Sequence, residues 1–138
     1  MTPTFFYLVS RASFILLGTA TLSVTIGTFP GVAQDSRHCF VRANATSDPT
    51  ATKADLLRAR NLARQAAESY NGGLQYYRAD NSMHARIAQA PCIENDNGSW
   101  TFTFKGFRPG VTTPFVETVV TVDRRNWQVS VDANNQLP

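Results

Sequence analysis

Along residues 56–70, Leu56, Ala59, Ala63, Ala66 and Tyr70 recur at steps of three and four, while Arg58, Asn61, Gln65 and Glu68 fall between them. That spacing predicts one amphipathic helix of about five turns, with its alanines set for close packing on a flat partner. Asp48-Pro49 offers a cap followed by proline in the first turn, and Thr52 with Asp55 offers an alternative capping box. Asn71-Gly72-Gly73 then tolerates the positive φ with which helices commonly end.

Beyond the glycines the period changes from helical to two. Trp100, Phe102 and Phe104 alternate with Thr101, Thr103 and Lys105; Val116, Thr118, Val120 and Val122 follow, and Trp127, Val129 and Val131 alternate with Gln128, Ser130 and Asp132. These runs predict three strands of an antiparallel meander, with turns at Arg108-Pro109-Gly110 and at residues 123–126. Residues 74–79 read as an earlier strand. Residues 87–93 read as a short strand paired with the Trp100 strand through the Asn97-Gly98 turn. A sheet with one wet face needs a cover on its dry face, and the helix is the candidate cover. The expected class is α+β: one amphipathic helix packed on a four- to five-stranded antiparallel sheet.

The first 33 residues have a different pattern. Arg11 precedes an apolar run over residues 14–29, and Gly31-Val32-Ala33 ends in small residues. This reads as a signal peptide cleaved between Ala33 and Gln34, followed by an N-terminal extension to residue 49 and a single domain from residue 50. The run is short and interrupted by Gly18, Thr19 and Ser23, so stable membrane insertion after cleavage is not expected. A periplasmic or extracellular location follows. There Cys39 and Cys92 are expected to form a disulfide, stabilising the fold by on the order of 4 kcal/mol. A zinc site joining the cysteines to His38 and His84 is disfavoured because neither Cys-x-x-Cys nor His-x-x-x-His spacing occurs. No cofactor is implied.

Without Arg11, 12 Lys and Arg remain against 10 Asp and Glu. So small an excess, interleaved with acids, argues against nucleic acid as a partner. Glu94-Asn95-Asp96-Asn97-Gly98 lacks the ligand alternation of a calcium loop and reads as a turn.

The order of helix, Gly-Gly, strand, Trp100-Thr101-Phe102-Thr103-Phe104 and the hairpin from Val119-Val120-Thr121-Val122-Asp123 to Trp127-Gln128-Val129-Ser130-Val131-Asp132 is similar to PepSY-like and cystatin-like exported domains. It also resembles small exported proteins of photosynthetic bacteria. The PepSY resemblance implies inhibition or chaperoning of a protease. From the residues themselves the leading expectation is a non-catalytic, protein-binding module that makes contact through Phe107 and Arg108 in the 106–114 region. An alternative is a small hydrolase-like enzyme using His84 as general base beside Asp80 or Ser82. A further alternative is an envelope-associated structural protein.

Overall fold

The computed structural model describes residues 37–47 and 49–138. The leader, the Ala33/Gln34 cleavage position and Asp48 lie outside the described residues. Helix α1 spans Cys39–Asn44 and helix α2 spans Pro49–Tyr70. Strands β1 (Arg78–Ala79), β2 (Cys92–Glu94), β3 (Trp100–Phe107), β4 (Pro114–Val122) and β5 (Val129–Gln136) form one antiparallel sheet of five strands. β3, β4 and β5 make the expected meander, and β1 and β2 pair with opposite ends of β3 along its other side. The fold is α+β, with α2 packed on the sheet.

Helix α2 buries Leu56, Ala59, Ala63 and Ala67 completely. The predicted stripe holds for its first three members and then shifts: Ala66 is half-buried, and Tyr70 is 64% exposed. A step of three from Leu56 to Ala59 and two steps of four beyond it carry the buried line to Ala67, so Ala66 falls to its flank. Glu68, expected on the wet face, is consequently buried. The helix ends in a Schellman arrangement, in which Gly73 N–H donates to the Glu68 carbonyl at 2.7 Å and Gly72 N–H to the Ser69 carbonyl at 3.2 Å. Both glycines take φ near +90°, a conformation that a Cβ would penalise.

The face of the sheet against α2 carries Trp100, Phe102, Phe104, Val116, Val120 and Val122, all buried. Each such side chain contributes about 1.5–3 kcal/mol by leaving water. In β5 the alternation is broken by one extra residue. Val131 pairs with Val120 but Ala133 pairs with Val119, leaving Asp132 as a bulge. Beyond it Asn134 lies opposite Thr118, so the strand continues to Gln136 with polar residues where valines precede them.

Several segments differ from their sequence reading. The 74–79 strand contracts to Arg78–Ala79, because residues 74–76 form a turn after the helix, with Tyr76 N–H and Tyr77 N–H both donating to the Gly73 carbonyl at 3.0 Å. The 87–93 strand contracts to Cys92–Glu94, preceded by a 3-10 turn at Ile87–Gln89. Residues 39–44, read as part of an extension, form α1, which buries Cys39 and Ala43 in the same core. A disulfide joins Cys39 of α1 to Cys92 of β2, with their Cα atoms 5.7 Å apart.

Candidate functional site

Beyond the last residue of β3 the chain leaves the sheet through residues 108–113 and returns at Pro114. Phe107 pairs with both Arg78 and Pro114, closing the base of this loop. A turn follows in which Val111 N–H donates to the Arg108 carbonyl at 3.0 Å, with Gly110 at φ +78°. On the other side of β1, Asp80 caps a 3-10 turn over Asn81–Met83: its Oδ1 accepts from the Ser82 N–H at 2.8 Å. Hydrogen bonding from Ser82 holds the Asp80 carboxyl below its usual range, and the Lys105 charge adds to this.

The loop, the capped turn and the C-terminal half of α2 enclose a cleft of about 590 Å³. Its helix wall is Arg64 and Glu68, one turn apart, joined by two guanidinium–carboxylate hydrogen bonds of 2.8 and 2.9 Å. Leu74 and Val111 line it while remaining 53% and 48% exposed. Phe107, half-buried, and Arg108 and Arg78, both exposed, complete that side, and Asp80 and His84 close the far end. A second depression of about 500 Å³ lies across the loop and shares Arg108 and Val111 with the first. Arg108 is placed by its neighbour Phe115, whose ring centroid lies 5.3 Å from the guanidinium carbon.

The residues singled out from sequence therefore fall into two groups. Phe107, Arg108, His84 and Asp80 share one cleft, although they come from opposite sides of the β1–β3 pairing. Cys39, Cys92 and His38 lie elsewhere: the cysteines are joined to each other, and the His38 Nδ1 accepts from the Phe40 N–H at 3.2 Å as the cap of α1. Among the described residues no group of three or more His, Cys, Asp or Glu is placed to hold a metal ion. No hydrogen bond there joins His84 to Asp80 or Ser82, whose own contact is the cap.

Sequence reasoning missed Arg64, Glu68, Leu74, Arg78 and Val111 as cleft residues. For Arg64 and Glu68 the signal was present as an i, i+4 pair of opposite charge. The pair continues a line of polar residues along α2 that begins at Arg60, 6% exposed, whose guanidinium donates to the Ala85 carbonyl. Burial, with the Arg64 charge nearby, lowers the Arg60 pKa. That bond ties α2 to the segment carrying His84, and so fixes one end of the cleft.

No helix of the described residues is long and apolar enough to cross a membrane. Comparison with protein-family models, with curated proteins and with solved structures finds no match to this chain.

Proposed function

We propose that this protein is an exported, non-catalytic binding module of the periplasm or cell exterior that docks a protein partner through the cleft beside the 108–113 loop. The reading is carried by one observation. Exposed apolar side chains, Leu74 and Val111, stand in the same concavity as Phe107, Arg78 and Arg108. Apolar surface left in water beside exposed cations marks a contact site better than either feature alone. The Cys39–Cys92 disulfide is in keeping with an oxidising compartment. The architecture of one long helix on an antiparallel sheet supports the PepSY-like and cystatin-like resemblance, and with it a role in restraining or escorting another protein.

Affinity capture from the exported fraction, with chemical crosslinking, tests this with wild type and with a Phe107→Ala/Arg108→Ala variant whose thermal unfolding is recorded in parallel. A partner held by wild type should be lost from the folded variant. Equal capture by both proteins rejects the cleft as the contact surface.

A further inference from the structure

The charges in the cleft are not equally committed. Arg64 is neutralised by Glu68 in a two-point pair, and Asp80, which keeps its charge, has one carboxylate oxygen engaged by its cap bond to Ser82 at the His84 end of the cleft. Arg78 and Arg108 have no carboxylate within ion-pair distance among the described residues. Arg108 is nevertheless positioned, because its guanidinium lies over the Phe115 ring. A guanidinium held by its face keeps its in-plane N–H donors free for an acceptor. Two cations without a carboxylate partner among the described residues thus border a concavity whose remaining walls include Leu74, Phe107 and Val111.

From this arrangement we infer that the cleft selects a partner segment in which acidic and apolar side chains alternate or adjoin. The inference rests on the binding-module reading and specifies its ligand. A purely anionic ligand would leave Leu74 and Val111 in water. A purely apolar one would strip water from Arg78 and Arg108 without replacing it, at the cost of unpaired polar groups. A segment carrying both features satisfies both walls. The volume of about 590 Å³ falls within the roughly 300–1,000 Å³ of sites that take a small ligand or a few side chains.

The test uses the oxidised protein, ¹⁵N-labelled, and four probes: an end-blocked hexapeptide of alternating Glu and Leu, its Lys/Leu and Glu/Ser counterparts, and octanoate. The Glu/Leu peptide should shift the amides of Leu74, Arg78, Arg108 and Val111 saturably, and the other two peptides should not. An Arg78→Glu/Arg108→Glu variant with an unchanged circular dichroism spectrum should weaken binding by on the order of tenfold, and added salt should weaken wild-type binding. An Arg78→Ala/Arg108→Ala variant should give a smaller loss in the same direction. Equal binding of the Lys/Leu or Glu/Ser peptide overturns the inference, as does octanoate saturating these amides in place of the Glu/Leu peptide, or no peptide binding at all. If the Glu/Leu peptide fails while partner capture still depends on Phe107 and Arg108, the ligand class is wrong and the binding module stands. Failure of both removes both.

Discussion

Asn71 and Asn134 exchange side-chain hydrogen bonds across the helix–sheet interface: Asn134 Nδ2 donates to Asn71 Oδ1 at 2.9 Å, and Asn71 Nδ2 lies 3.3 Å from Asn134 Oδ1. The first residue sits at the end of α2 and the second just past the β5 bulge. Asn134 Oδ1 also accepts from the Thr118 hydroxyl at 2.7 Å, which leaves Thr118 Oγ1 as the acceptor of the Tyr77 hydroxyl at 3.3 Å. Tyr77 and Thr118 are fully buried, so this thread satisfies polar groups that water does not reach. Burial also raises the Tyr77 pKa, which keeps the phenol protonated and able to donate.

Replacing Asn134 with Ala should therefore cost about 1–3 kcal/mol, because Thr118 and Asn71 each lose a partner. Urea unfolding of the variant should show a lower midpoint with an unchanged slope. A midpoint equal to wild type would mean that the thread contributes nothing.

Gly106 pairs with Ala79 and Val116 under the Tyr77 ring. A Cβ at this position would lie 2.0 Å from Tyr77 Cε2 and 2.7 Å from Val116 Cγ1. Gly106→Ala should destabilise the protein by about 1–3 kcal/mol through overpacking. A Tyr77→Ala background should reduce that penalty, and a double-mutant cycle from thermal melts measures the coupling. Additive losses would place the strain elsewhere.

The Cys39–Cys92 bridge closes a loop with a sequence separation of 53. Reduction, or a paired Cys39→Ser/Cys92→Ser replacement, should lower stability by about 4 kcal/mol on chain-entropy grounds. The loss should be seen equally by calorimetry of the reduced protein and of the double variant. Divergence between the two would separate the crosslink from the packing of the sulfurs.

Acid sensitivity should come in part from Asp80. Its folded pKa is depressed by Ser82, so the stability it lends is present above the unfolded carboxyl pKa of about 3.9 and is lost as pH falls through the lower folded value. Asp80→Asn should be less stable than wild type at pH 6, and the gap should narrow as pH drops below about 4. Urea midpoints across that range measure it. A gap independent of pH would assign the effect to the amide rather than to the charge.

Much of the fold was legible because period carries it. Trp100, Phe102 and Phe104 declared a strand by alternation, as Val120 and Val122 did, and Leu56, Ala59 and Ala63 declared a helix. What alternation alone does not reveal is a change of phase. The Asp132 bulge brings Asn134 opposite Thr118, and the turn after Gly73 takes residues 74–76 out of the sheet. In the candidate site, Phe107 and Arg108 were visible as an aromatic and a cation beside turn residues. Arg78 and Leu74 were not, because their place beside the loop depends on β1 pairing with the far end of β3, a contact between residues some 30 positions apart. Helix α1 was missed for a related reason: six residues are too few to show a period, and its burial comes from α2 and β2 rather than from its own pattern.

The same Asp132 has a consequence for how copies of the chain treat one another. Among the described residues β5 borders the sheet with no strand paired on its outer side, the kind of margin along which sheets extend from molecule to molecule. An inserted acidic residue bends that margin and interrupts its ladder near the middle. Deleting this single residue should straighten the border, discharge it and offer an uninterrupted template, and thioflavin fluorescence that rises faster than for wild type would report the resulting fibrous self-association.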